Sequence, residues 1–236
     1  MSIAANLERI RNEMADACAR AGRGESDVAL MAVSKMHPPA AIEEAYAAGQ
    51  RLFGENKVQE WDTKIAALPE TILHTARFHL IGHLQSNKSA RAAAIFANID
   101  TVDSLKIAQR LNAAAVALNR TLPVLIEVKL SSEESKHGIA PGAVSEILHA
   151  AAALPALELR GLMTVPPFFD DPEDARPYFR QLHELRNSLN AVHPHTQLLE
   201  LSMGMSHDFA VAIEEGSTCV RIGTAIFGKR DYSKIL

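Results

Sequence analysis

The sequence lacks the parts from which several protein classes are built. Two cysteines, Cys18 and Cys219, in 236 residues cannot make a disulfide framework or a zinc site. No apolar run approaches the ~20 residues needed to span a bilayer, so no membrane partner is expected. Residues Met1 to Arg11 mix polar and apolar types and include Glu8, unlike the apolar centre of a signal peptide, which makes the cytoplasm the expected location. There is no basic excess: 24 Lys plus Arg stand against 28 Asp plus Glu, a net charge of -4. That balance argues against a nucleic-acid binder. No Gly-x-Gly-x-x-Gly turn follows the first apolar run, and neither a P-loop nor a Gly-x-Ser-x-Gly elbow occurs. Dinucleotide, NTPase and serine-hydrolase chemistry are therefore unsupported. No linker or low-complexity block divides the chain, so residues 1–236 are expected to form one domain.

What is present is an ordinary globular composition, 47% hydrophobic and 22% charged, arranged in alternating patterns. Ile3, Leu7, Ile10, Met14 and Cys18 recur at helical spacing and predict an N-terminal amphipathic helix ending near Gly22 and Gly24. The continuous apolar run Val28–Val33 suits a strand buried on both faces. Pro38 and Pro39 then open a helix that closes at Gly49. Further strands are expected at Arg51–Asn56, Phe78–His83, Ile99–Asp103, Val124–Leu130, Leu157–Val165, Leu198–Met203 and Cys219–Ile222, with helical stripes around Leu105–Leu118, Val144–Ala151 and Phe179–Leu189. Strands separated by helices at intervals of roughly 20 to 40 residues mean parallel crossovers, and about eight strands close a (β/α)8 TIM barrel. An open doubly wound sheet is the competing fold.

In such a barrel, chemistry sits at the carboxyl ends of the strands. The polar residues expected there are Lys35, Asn56, His83, Lys129, Ser202, Gly204, Arg221, Gly223 and Thr224. Lys35 directly ends a buried apolar strand. Desolvation or a cationic neighbour lowers a lysine's proton affinity by up to ~3–5 units, leaving an amine that attacks aldehydes. The plain alternative is a surface lysine lying along the fold. Small-residue turns at Ser202–Ser206 and Gly223–Thr224 suit an anion held by backbone N–H groups, as phosphates are held in the last two loops of this barrel. They equally suit simple turns and a helix cap, and Asp208 would compete for the same donors.

Six blocks of sequence carry a resemblance. They are Met31–Lys35, Phe53–Glu60, His79–Lys88, Arg160–Met163, Leu201–Ser206 and Val220–Gly228. In register from about residue 2 to residue 233, the chain resembles the pyridoxal phosphate homeostasis protein family. That resemblance implies a barrel like the N-terminal domain of alanine racemase, preceded by an extra helix, with pyridoxal 5'-phosphate bound to Lys35 as a Schiff base. It further implies that Ser202, Gly223 and Thr224 hold the phosphate, with backbone help at Met203 and Gly204. Arg221 would face the pyridine nitrogen, Asn56 would line the cofactor, and Met163 would border the ring.

The residues add constraints of their own. Arginine is a donor only, so Arg221 at the ring nitrogen would weaken the ring as an electron sink. Its alternative is an ion pair with an acid such as Glu200. Past Gly228 only Lys229 to Leu236 remain, too few for a second domain covering the site. The three tyrosines, Tyr46, Tyr178 and Tyr232, do not fall at strand ends, so two-base racemisation lacks an evident partner. Of the ten histidines, His183 begins a zinc-protease-like helix without its second ligand, and His193 and His195 sit in a loop; no metal is expected. The polar loop Ser131–Gly138 after the fifth strand suits a plain solvated loop; alternatively Lys129, just before it, or Lys136 within it offers a second cofactor contact or a transfer surface. The expected function is cofactor carriage, handing pyridoxal phosphate to apo-enzymes, by a monomer. An amino-acid racemase and a lysine-dependent aldolase are the alternatives.

Overall fold

A computed structural model describes residues 2–131, 137–150 and 153–228; Lys136 and Tyr232 lie outside the described residues. Eight strands, β1 (Ala29–Val33), β2 (Leu52–Glu55), β3 (Arg77–Leu80), β4 (Asn98–Val102), β5 (Leu122–Glu127), β6 (Leu157–Met163), β7 (Glu200–Ser202) and β8 (Cys219–Ile222), close in chain order into a barrel. All neighbours run parallel, and the closure pairs Ala29 with Cys219 and Ala32 with Ile222. Strands of this kind are covered on both faces, which is why every residue of β4 and β8 is buried. The open doubly wound sheet is excluded by the pairing of β1 with β8.

The strands are shorter than the sequence predicts at their carboxyl ends. The expected Phe78–His83 stops at Leu80, Val124–Leu130 at Glu127 and Leu157–Val165 at Met163. Apolar character runs on past the ladder because Ile81, Val128, Leu130 and Val165 line a cavity above it. Hydrophobicity there marks the lining of the cavity beyond the ladder, with Val128 buried and Val165 exposed. At β7, Leu198 is fully buried yet precedes the paired residues Glu200–Ser202.

The outer layer comprises α1 (Ile3–Arg20), α2 (Pro39–Ala47), α3 (Val58–Ile65), α4 (Glu70–Thr75), α5 (Ser89–Ile95), α6 (Leu105–Ala117), α7 (Val144–Ala150), α8 (Arg176–Val192), α9 (Phe209–Glu214) and α10 (Thr224–Phe227). Ser2 starts α1 by accepting a hydrogen bond from the Ala5 N–H at 3.2 Å. Leu7, Ile10, Met14, Ala17 and Cys18 form its buried stripe; Leu7 and Ile10 each contribute about 1.5–3 kcal/mol by leaving water. The helix packs against α2, α9 and α10. Helix α9 begins at Phe209, after a turn in which Asp208 Oδ1 accepts from the Met205 N–H at 2.6 Å. Among the described residues no helix is long and apolar enough to cross a membrane.

Candidate functional site

A cavity of about 560 Å³ opens at the carboxyl ends of the strands, lined by Lys35, Asn56, Glu127, Arg221, Gly223 and Thr224 among others. Lys35 follows β1 and Arg221 belongs to β8, so closure of the barrel brings together groups from opposite ends of the chain.

The turn that carries Lys35 is held from beneath by a buried ionic cluster. Glu55 ends β2 with no exposure. It accepts from the Ser34 hydroxyl at 2.6 Å and from Lys64 Nζ at 2.9 and 3.0 Å. Lys64 also donates to the Ser34 carbonyl at 2.8 Å and pairs with Glu60 at 2.7 Å. Glu60 accepts from the Met36 N–H, and Met36 is held at a φ of 63°, a conformation uncommon outside glycine. Both residues flanking Lys35 are therefore tied to one cluster.

Arg221, 5% exposed, donates to Ser202 Oγ at 2.7 Å and to the Thr164 carbonyl at 2.8 Å. Burial depresses its proton affinity, while the neighbouring Cys219, Asp100, Glu127 and Asp208 oppose that shift. Glu127 is 8% exposed and its Oε2 has no hydrogen-bond partner. Burial and then the charge of Asp103 push its carboxyl up to about 7, against the pull of Arg221.

Of the residues singled out from sequence, Lys35, Asn56, Arg221, Gly223 and Thr224 line the cavity, as do His83 and Lys129. Met163, Ser202, Met203 and Gly204 do not. Met163 and Met203 are wholly buried, and Met163 stands in the ladder between Glu127 and Ser202. The Ser202 hydroxyl serves Arg221 instead of facing the cavity. Gly204 accepts the Arg221 N–H on its carbonyl at 2.9 Å. This set forms the layer behind the cavity wall. Glu200 pairs with Arg160 at 2.9 Å, so it is not the partner of Arg221. Sequence reasoning missed Glu127 and Phe168; it held Met205 and Ser206 only as part of the Ser202–Ser206 turn, read as an anion cradle or as a plain turn and helix cap, and His137 only as part of the loop Ser131–Gly138. Glu127 carries the same signal as Lys35, a charged residue ending an apolar strand. Reading that strand on to Leu130 concealed it.

Asn56 reaches the cavity only because Gly82 makes room. A Cβ at Gly82 would lie 2.2 Å from the Asn56 carbonyl oxygen and 2.6 Å from its side-chain oxygen. Gly82→Ala should destabilise the protein by about 1–3 kcal/mol through overpacking and displace Asn56, read as a lowered urea midpoint.

The closed barrel, with a lysine following its first strand and a buried arginine before the turn ending its last, defines a class, the alanine-racemase type of barrel. Residues 5–231 match the family described as alanine racemase, N-terminal domain. The chain belongs to the pyridoxal phosphate homeostasis protein family. It is 43% identical to the protein of that name from Aquifex aeolicus, over 98% of this chain and 100% of the relative. It is 46% identical to the Escherichia coli K12 protein of that name, over 98% of each. The structure of PipY from Synechococcus elongatus with PLP bound is 39% identical and superposes with a TM-score of 0.85, covering 96% of this chain and 100% of that one.

Proposed function

We propose that the chain binds pyridoxal 5'-phosphate through Lys35 and serves to hold and pass on the cofactor. The observation that carries this reading is the convergence of Lys35 and Arg221 on one cavity. Pyridoxal phosphate supplies an aldehyde that bonds a primary amine, a basic ring nitrogen and an anionic tail. The donors fit that chemistry. Lys35 offers the amine, and Arg221 offers a fixed positive donor for the ring nitrogen. Ser206, Gly223 and Thr224 line the side where α10 begins, where amides lack partners within the helix. They would take the phosphate.

The same residues narrow the chemistry. A guanidinium facing the ring nitrogen would keep a proton off it and weaken the ring as an electron sink, which disfavours transamination and decarboxylation and suits holding the cofactor or proton exchange. The relatives bear the name of homeostasis proteins, which supports carriage. The racemase alternative is favoured by one feature, Glu127, a carboxyl titrating at about 7 within the same cavity. As part of this reading, residues 1–236 act as one domain, in the cytoplasm and as a monomer, and the cavity delivers cofactor to apo-enzymes.

The test is spectroscopic. Protein loaded with pyridoxal phosphate should show a visible absorbance band that borohydride bleaches, and Lys35→Ala should abolish the band. A colourless loaded protein, or a variant with an unchanged band, refutes the site. Reactivation of an apo-enzyme without turnover of alanine or serine supports carriage. Robust racemisation overturns it.

A further inference from the structure

We propose that His83, Asp103 and His137 form a binding site for a zinc-class divalent cation on the rim of the cavity. The three come from three loops, after β3, β4 and β5. One ligand atom from each lies within 4.8 Å of the others. A tetrahedral zinc ion with bonds of 2.0–2.1 Å holds its ligands roughly 3.3–3.5 Å apart. His83 Nδ1 and Asp103 Oδ2 are hydrogen-bonded to each other at 3.0 Å, so an ion would replace that bond and part them slightly. The His83 and His137 rings stack nearly parallel with centroids 4.0 Å apart, so one ring must turn out of the stack for both nitrogens to face one ion.

Each ligand is anchored to the barrel. The Thr101 hydroxyl donates to the Gly82 carbonyl at 2.9 Å, fixing the residue before His83. Ser104 donates to Asp103 Oδ1 at 3.2 Å and, as the cap of α6, accepts from the Ile107 N–H at 3.4 Å. This orients the carboxylate with Oδ2 toward His83, the kind of outer support that sets a metal ligand's direction. His137 precedes Gly138, which has a φ of +109° and whose Cβ, if present, would lie 2.9 Å from the Lys129 nitrogen. Ile139 then exchanges hydrogen bonds with Lys129 and Glu127 at 2.8 and 2.9 Å. The histidine is thereby tied to the end of β5.

Glu127 is a further buried carboxylate in the same cavity. It shares the cavity with His83 and His137, is more than nine-tenths buried, and presents an Oε2 with no hydrogen-bond partner. Asp103 is the like charge that acts on it most strongly. A cation held by Asp103 would relieve that repulsion and offer the orphan oxygen, directly or through a water, a partner. Two imidazoles and a carboxylate favour zinc, cobalt or nickel over magnesium or calcium. Three protein ligands leave a fourth position for water or for an oxygen of a molecule entering the cavity.

The experiment uses the full chain, stripped with chelator and free of pyridoxal phosphate, titrated with Zn²⁺ by calorimetry and with Co²⁺ by visible absorption. The proposal expects one ion per chain and the visible spectrum of tetrahedral cobalt. His83→Ala and His137→Ala should each weaken binding about 100-fold or more. Ser104→Ala should weaken it about 10- to 100-fold. His149→Ala, remote from the rim and paired with His193, should leave it unchanged, and Mg²⁺ should not compete. Circular dichroism verifies that each variant folds. Absence of stoichiometric binding, or binding that survives both His83→Ala and His137→Ala, overturns the proposal. Because only the metal is added, that failure is distinct from failure of the cofactor reading.

Discussion

Lys64→Met is expected to destabilise the protein by about 3–5 kcal/mol, the usual result of removing one partner from a buried ion pair. Glu55 has no exposure, and burial already pushes its carboxyl upward, with Lys64 the principal opposing influence. Without the ammonium, Glu55 must either take up a proton or stay charged in the core. Its folded-state proton affinity then rises further above the unfolded value. The penalty is small at pH 5 and grows as pH rises, so the deficit in unfolding free energy should be larger at pH 8. Replacing both partners, as Glu55→Gln with Lys64→Met, removes the stranded charge and keeps an acceptor for the Ser34 hydroxyl. The double variant should regain more than half of the loss. A single variant as stable as wild type at pH 8 would show that the cluster does not carry the energy assigned to it. The same substitution reaches the site, since Lys64 holds the Ser34 carbonyl and pairs with Glu60, the acceptor for Met36. Loosening the turn around Lys35 should slow formation of the visible band even in the protein that remains folded.

Glu127→Gln should flatten the pH dependence of stability. The carboxyl titrates near 4.5 when unfolded and at about 7 when folded. Between those values the folded chain keeps a proton that the unfolded chain has released, so stability falls as pH rises. At 1.36 kcal/mol per unit the span corresponds to about 3 kcal/mol, complete above the folded value. An amide does not titrate. In chelator-treated protein without cofactor, the variant should match wild type within ~1 kcal/mol at pH 4.5 and exceed it by about 1–3 kcal/mol at pH 8. Lost attraction to Arg221 sets the lower end of that range. Urea unfolding at the two pH values makes the measurement, and parallel curves would show that Glu127 is not the group responsible.

Much of the fold was legible because a parallel barrel writes a simple pattern. Its strands are buried on both faces, so a run such as Val28–Val33 stands out as an unbroken apolar segment. Longer helices declare themselves by period, as α1 and α6 do. The short helices α3, α4 and α5, of 8, 6 and 7 residues, make about two turns each, too few for a period to stand out. Strand ends were blurred because cavity-lining residues such as Ile81 and Val128 are as apolar as those in the ladder.

Within the site, the sequence by itself determined the order of strands and helices, the lysine that follows the first strand and the small-residue turns that close the last two. These depend on local spacing, which a chain carries along its length. Only the tertiary structure decided which strand-end groups share the cavity and which stand behind its wall. Ser202 serves Arg221, Glu127 keeps an oxygen without a partner, and His83, Asp103 and His137 meet from three separate loops. Such meetings depend on register, closure and the direction of each side chain, and those exist only once distant segments have packed against one another.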